Sequence, residues 1–295
     1  MTKRKPPKSS RRGKNPEGRP GHALRRPRRG THEGPAPGTA VGVGVAAPWL
    51  YGTHAVLEAL ANPRRRVTRL LVAGETAAKE APRLESLLAD RPDGLRAEPA
   101  TREALTQLLP DGAVHQGLAL QVRPLDQPDL PALLADLPPP GGAERPVVVV
   151  ALDQVTDPQN VGAILRSAAA FGATAVIAPQ RHAAPETGAL AKAASGALEH
   201  LAYLQVGNLA RALEQLKAAG FWVLGLAAEG VATIAEADAG PRIVLVLGAE
   251  GSGLRRLTRE HCDLLARLPT GGAIGQLNVS NAAAVALYEL LARRA

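Results

Sequence analysis

Residues 147–179 read "VVVVALDQVTDPQNVGAILRSAAAFGATAVIAP", and the fold follows from how this stretch divides. Four valines run into Ala151 and Leu152 with no polar residue between them, the pattern of a strand buried on both faces of a parallel sheet. Asp157 then stands where a helix N-cap is needed, Pro158 at the first helical position, and Gly172 where the helix must stop. "TAVIAP", residues 174–179, is a second strand. Strand, helix and strand in succession make a βαβ unit with a right-handed crossover.

The pattern continues downstream. "NLARALEQLKAAG" (208–220) is helical, "FWVLGLAA" (221–228) and "RIVLVLG" (242–248) are strands, and "LLARLP" (264–269) is a last strand. A final helix follows, capped near Asn278 or Ser280. Residues 147–295 therefore form an α/β domain with a mainly parallel sheet. Upstream, residues 48–123 alternate helix and strand: "THAVLEALAN", "AKEAPRLESLLADR" and "TREALTQLL" are helical, while "RVTRLLVAG" and "GLALQV" are strands. They read as a small α/β domain. Residues 124–146 are rich in proline, which predicts an extended, semi-rigid connector and a domain boundary.

Charge separates off the first 47 residues. They hold 12 Lys and Arg against two acids, Glu17 and Glu33, a net +10, whereas the other 248 residues carry 23 bases and 25 acids. This arm has almost no apolar residues, so it cannot offset its ordering entropy and is expected to be disordered. Its charge suits a polyanion such as nucleic acid, bound with a strong salt dependence. The basic start leads into no apolar segment of a secretory signal, and no apolar run is long enough to span a membrane. The single cysteine, Cys262, forms no internal disulfide, and no Cys/His cluster has zinc spacing. The expectation is a cytoplasmic protein without a metal, with Cys262 as a small buried residue.

Open α/β sheets bind ligands at the carboxyl ends of their strands. Three segments occupy that rim: "DPQNVGAILR" (157–166), "LGAEGSGL" (247–254) and "LPTGGAIGQLNVS" (268–280). None carries the Gly-Lys-Ser/Thr of a phosphate loop. "GAEGSG" has neither the spacing nor the early position of a dinucleotide fingerprint.

Taken in order, "NVGAILRSAAAFGA" (160–173), "LVLGAEGSGL" (245–254) and "LPTGGAIGQLNVSNAAAVALYE" (268–289) resemble the three signature motifs of the SpoU (TrmH-type) RNA 2′-O-ribose methyltransferases. Residues 48–123, with "YGTHAVLEAL" and "HQGLAL" at their ends, are similar to the small RNA-binding domain of the branch that methylates a guanosine of 23S ribosomal RNA. The resemblance covers about residues 48–295. It implies a deep trefoil knot near the carboxyl terminus, a homodimer packed through the final helix, and S-adenosylmethionine as methyl donor. Backbone groups near Gly248, Leu268 and Leu277 would line the donor's pocket. The glycines at 271, 272 and 275 would let the backbone turn tightly and approach it closely.

The same match brings Asn160, Arg166, Glu250 and Asn278 to the reaction centre. In the family Arg166 is proposed as the base toward the 2′-OH. A guanidinium is effectively always protonated, so holding a phosphate and stabilising the developing alkoxide suit it better. Asn160 and Asn278 would orient the ribose or the arginine, and Glu250 would fix the arginine fork in a charge-assisted pair. Many relatives carry serine before the Leu-Asn where this chain has Gln276, so a role resting on that serine does not transfer.

Each of these residues has a plainer reading. Asn160 satisfies backbone amides in a first helical turn, Asn278 is an N-cap, Arg166 is solvated, and Glu250 belongs to a turn. Two other functions also stay open: ribose methylation of tRNA by the same chemistry, and a catalytically silent RNA-binding ribosome-assembly factor. Outside the motifs, His115 reads as a packed linker residue and Trp222 as core. "PRRR" (63–66) reads as a solvated loop with phosphate contact open.

Overall fold

The computed structural model describes residues 47–139, 142, 145–238, 240–272 and 275–293. The expected disordered arm therefore lies, but for Ala47, outside the described residues. The chain first builds β1 (Trp49–Tyr51), α1 (Thr53–Ala61), β2 (Val67–Ala73), α2 (Gly74–Ala89), β3 (Ala97–Ala100), α3 (Arg102–Leu108) and β4 (Leu118–Val122). These strands form one sheet in the order β1-β4-β2-β3, with β4 antiparallel to both neighbours and β2 parallel to β3.

After α4 (Leu130–Ala135) come β5 (Val147–Asp153), α5 (Pro158–Phe171), β6 (Ala175–Pro179), α6 (Gly188–Ala194), β7 (Ala202–Val206), α7 (Leu209–Ala218) and β8 (Trp222–Leu226). The chain ends with β9 (Ala232–Thr233), β10 (Arg242–Gly248), α8 (Arg256–Glu260), β11 (Leu264–Arg267) and α9 (Val279–Leu287), which runs into a π-helical turn over Tyr288–Ala292. The second sheet has seven strands in the order β7-β6-β5-β10-β8-β11-β9, and every described pairing in it is parallel.

The valine run behaves as its composition requires. Every residue of β5 is buried, because the strand alternates between two apolar layers. Val148, Val150 and Leu152 belong to the apolar cluster that holds residues of α5 and α9, while Val147, Val149 and Ala151 belong to the one that holds residues of α7. The side chain of Asp157 accepts a 2.9 Å hydrogen bond from Asn160 N, and Gly172, at φ 84°, closes α5 in the left-handed region.

Three sequence expectations need correction. The proline-rich stretch is not wholly extended, since α4 lies within it. Asp129 caps that helix by accepting from Ala132 N at 2.8 Å, and Pro131 sits in the first turn, where a missing N–H costs nothing. Leu130 and Leu133 then bury against the large sheet. Trp222 is 42% exposed, because the neighbouring Phe221 takes the core position at the start of β8. Arg65 of "PRRR" is fully buried. Its guanidinium donates to both carboxylate oxygens of Glu199 (3.1 and 2.5 Å), to Glu186, and to the Arg123 carbonyl at 3.1 Å. Pro63, Arg64 and Arg66 of that run face solvent. Cys262 is partly buried, with its thiol pushed up to about 11, chiefly by desolvation.

One connection crosses the large sheet. β8 and β9 are consecutive in the chain, yet β11 lies between them. Residues 227–231 bridge over it: Ala227 N donates to Ala266 O at 2.9 Å and Val231 N to Leu265 O at 3.1 Å. At Gly230 an added Cβ would stand 2.4 Å from the carbonyl carbon of Ala266 and 2.6 Å from Arg267 N. Both neighbours are backbone and cannot swing away. Gly230→Ala is therefore expected to destabilise the protein by about 3 kcal/mol, the upper end for overpacking. Urea denaturation measures this, and a loss below about 0.5 kcal/mol contradicts the close crossing.

Candidate active site

Three loops leave the carboxyl ends of β5, β10 and β11, the edge where parallel sheets bind ligands. The loop after β10 folds back sharply. Gly253 N donates to Ala249 O at 2.9 Å, and a Cβ on Gly248 would sit 2.3 Å from the Gly253 backbone. Gly251 and Gly253 adopt φ of 80° and 64°, values that L side chains rarely take. Asp153, fully buried at the end of β5, pins the far side of this loop. It accepts from Arg255 N at 2.8 Å and from Arg255 Nε at 2.6 Å. Sequence reasoning missed this pair, although an aspartate closing an apolar strand was its visible sign.

The folded loop presents Glu250, and here the three segments meet. Glu250 Oε1 accepts from Asn160 Nδ2 at 3.2 Å, from Asn278 Nδ2, and from Val279 N at 3.5 Å. Asn278 Nδ2 also donates to Asn160 Oδ1 at 3.0 Å. The Oδ1 of Asn278 caps α9, accepting from Ser280 N at 2.9 Å and Ser280 Oγ at 2.5 Å. Asn278 thus caps a helix with one end of its amide and joins the cluster with the other. Glu250→Ala removes the shared acceptor and is expected to raise amide exchange in the first turn of α9 about five- to tenfold, the worth of one hydrogen bond. Unchanged protection at Val279 would mean the turn is held by its own backbone.

Arg166 stands apart. It is exposed on α5, six residues and so about 9 Å along the axis from Asn160. Its side chain has no hydrogen bond or ion pair to a described residue. The expected Arg166–Glu250 pair is not formed, and Glu250 Oε1 is bonded instead by the two carboxamides.

Beside the cluster lies a cavity of about 750 Å³, lined among others by Gly248, Glu250, Leu268, Thr270, Gln276 and Leu277. This lies within the usual range of about 300–1,000 Å³ for small-molecule sites. The three expected pocket residues are thus together, and Gln276 joins them. Glu229 and Arg259, paired to each other, stand at its wall with Arg267. Within the loop after β11, Thr270 Oγ1 donates to Gly275 O at 2.9 Å. Nothing lies within 4 Å of a Cβ added to Gly271, Gly272 or Gly275, and the turn expected between them falls partly outside the described residues. Gly271 and Gly275 both line the cavity. Among the described residues no group of three His, Cys, Asp or Glu side chains is placed to hold a metal ion, and no helix is long and apolar enough to cross a membrane.

Comparison with known proteins agrees with this geometry. A sequence model of the SpoU rRNA methylase family matches residues 147–288, and one for RNA 2′-O ribose methyltransferase substrate binding matches residues 49–128. The 23S rRNA (guanosine-2′-O-)-methyltransferase RlmB of Pseudomonas putida is 41% identical over 249 residues, covering 83% of this chain and 96% of the relative. The Escherichia coli K12 protein of the same name is 38% identical over 249 residues, covering 83% and 98%. Among solved structures, the SpoU methyltransferase AviRb from Streptomyces viridochromogenes, in complex with AdoMet, superposes with a TM-score of 0.66 at 24% identity, covering 83% of this chain and 89% of that one. An AdoMet-bound rRNA methyltransferase from Sinorhizobium meliloti gives 0.66 at 22% identity, covering 83% and 87%. At these identities the two structures speak for the fold alone.

Proposed function

The chain belongs to the SpoU rRNA methylase family, and from that membership we propose that it transfers a methyl group from S-adenosylmethionine to the ribose 2′-OH of a guanosine in 23S ribosomal RNA. The observation that carries this reading is the cavity at the ends of β10 and β11, next to three loops tied together at one carboxylate. The cavity fits the methyl donor. Leu226, Leu247, Leu268 and Leu277 give it apolar walls for a flat ring, and Glu250 gives it a negative edge for a cationic ligand. Gly248, Leu268 and Leu277 hold the donor through their backbone groups, and bare Gly271 and Gly275 allow close approach.

The donor supplies an electrophilic methyl on a sulfonium that becomes neutral as the methyl leaves. What this chain adds is alignment and management of the hydroxyl proton. Asn160 and Asn278, each held by Glu250, orient the ribose. Arg166, with no ion-pair partner among the described residues, grips a phosphate of the RNA and stabilises the alkoxide that forms at the 2′ oxygen.

The wider organisation follows the same reading. Residues 48–123 position the RNA, 124–146 connect, 147–295 carry the chemistry, and the basic arm of 1–47 adds affinity. A trefoil knot at the carboxyl end is supported by the bridge of residues 227–231 over β11. A homodimer through the final helix is supported by exposed apolar side chains there: Val285 of α9 is 47% exposed, and Tyr288 in the π-helical turn that follows is 53% exposed and meets Phe171 edge-on. A cytoplasmic site of action follows from a ribosomal RNA substrate.

The test is methylation of 23S rRNA and tRNA transcripts by the purified protein, with the product nucleotide mapped. Methyl found in tRNA alone overturns the substrate, and no calorimetric binding of S-adenosylmethionine overturns the activity in favour of a silent RNA-binding factor. Deleting residues 1–47 removes a net +10 and is expected to flatten the dependence of RNA affinity on salt. An unchanged slope refutes a role for the arm.

A further inference from the structure

A second cavity, of about 400 Å³, opens where α1, α2, α3 and residues 113–116 meet, and it shares no lining residue with the first. Thr53, Thr76, Lys79, Arg102, Val114 and Gln116 line it, with Glu80 as its one acid. Its floor is a strained turn. Gln116 has φ 54°, and the following Gly117, at φ 82°, has no room for a Cβ, which would fall 2.2 Å from Thr76 Oγ1. Non-glycine residues hold such a conformation only where their surroundings over-determine it, and these positions gather at ligand sites.

The anchors are all visible. Thr76 Oγ1 donates to Gln116 O at 2.9 Å, and Gly117 N donates to His115 Nδ1 at 3.1 Å. From α6, Lys192 Nζ donates to Val114 O at 2.5 Å. His115 is therefore a buried structural residue. Its imidazole is held below its ordinary value by burial first, then by the positive charges of Arg102 and Lys192.

What the turn displays is specific. Gln116 Oε1 accepts from Thr53 N at 3.1 Å and from Lys192 Nζ at 3.4 Å. Two donors on the oxygen fix the amide's orientation and leave Nε2 as a donor without a partner among the described residues. Lys79 and Arg102 also have no ion-pair partner among the described residues. Val114, 61% exposed, adds a bare apolar side chain at the rim. Two unpaired cations, one oriented amide donor and an apolar edge match a phosphate, a base edge and a base or sugar face.

We propose that this pocket holds one nucleotide of the RNA other than the methylated one, its phosphate against Lys79 and Arg102 and its base edge against the Gln116 amide. The identity of the polymer rests on the function proposed above. The pocket is then an anchoring and selecting subsite, separate from the reaction centre.

The test uses the full-length protein and a 23S rRNA transcript, with affinity measured across a range of salt. The double substitution Lys79→Gln, Arg102→Gln is expected to weaken binding at least about tenfold and to reduce the log–log salt slope by about 0.7, the worth of one single-strand phosphate contact. Lys79→Arg with Arg102→Lys keeps the slope, since charge and not shape sets it. Gln116→Ala weakens binding with the slope unchanged. S-adenosylmethionine titration and the melting midpoint report that each variant is folded. Unchanged slope and affinity in the double Gln variant overturn the proposal, as does loss of slope in the charge-preserving pair. Wild-type protein that binds the transcript but transfers no methyl refutes the activity, while the slope comparison still decides the pocket.

Discussion

Arg166→Ala is expected to lower methyl transfer by about 10²–10³-fold, the usual worth of one preorganised charge at a developing oxyanion. Affinity for S-adenosylmethionine is expected to stay within about threefold, under 1 kcal/mol. The split follows from position. Arg166 is exposed on α5, has no partner among the described residues, and is absent from the lining of the cavity assigned to the donor. An exposed side chain with no hydrogen bond or ion pair to a described residue contributes little to stability, so the melting midpoint should hold. Arg166→Lys keeps the charge but loses the planar fork and should fall between the two. Single-turnover rates with saturating RNA, beside calorimetry of the donor, separate chemistry from binding. Equal losses in both would move Arg166 out of the reaction and into the cofactor site.

Arg65→Met is expected to destabilise the protein by about 3–5 kcal/mol, the cost of leaving a buried charge without its partner. Arg65 is 0% exposed and joins residues distant in the chain: Glu199, Glu186 and the Arg123 carbonyl. Asn62 Nδ2 adds a 2.8 Å bond to Glu199, and Arg91 Nη2 a 2.8 Å bond to the Arg65 carbonyl. Burial opposes the guanidinium charge, and the two glutamates more than offset it, so the Arg65 pKa is raised. Burial also raises the Glu186 carboxyl, even with the arginine pulling it down.

Methionine removes that pull, and burial then raises the Glu186 carboxyl further above its unfolded value. Stability is then greater at low pH and is lost as pH rises through the raised value. The defect of Arg65→Met should accordingly be smaller near pH 5 than near pH 7 in paired urea titrations. A loss below about 1 kcal/mol at pH 7 would put this network on the footing of a surface ion pair.

Local rules were enough to read much of this protein from its residues. The valine run of β5, the Asp157 and Pro158 start of α5 and the Gly172 stop act within a few residues of themselves, and they appear in the fold as written. Asn160, Glu250 and Asn278 were reached through the resemblance to the SpoU motifs, and the folded chain brings the three side chains together. Packing between distant segments decided the rest. Arg65 looked solvated beside two other arginines, and it is buried because glutamates 121 and 134 residues away close over it. Gly230 was silent in the sequence, and only the crossing of β11 shows why no Cβ fits there. Gln116 carried no signal in the sequence, and hydrogen bonds from Thr76, Thr53 and Lys192 hold it in a left-handed turn. Periodicity and capping report what a residue does to its neighbours in the chain. Burial of a charge, a crossing of backbones and strain in a turn depend on neighbours in space, and only the folded structure supplies those.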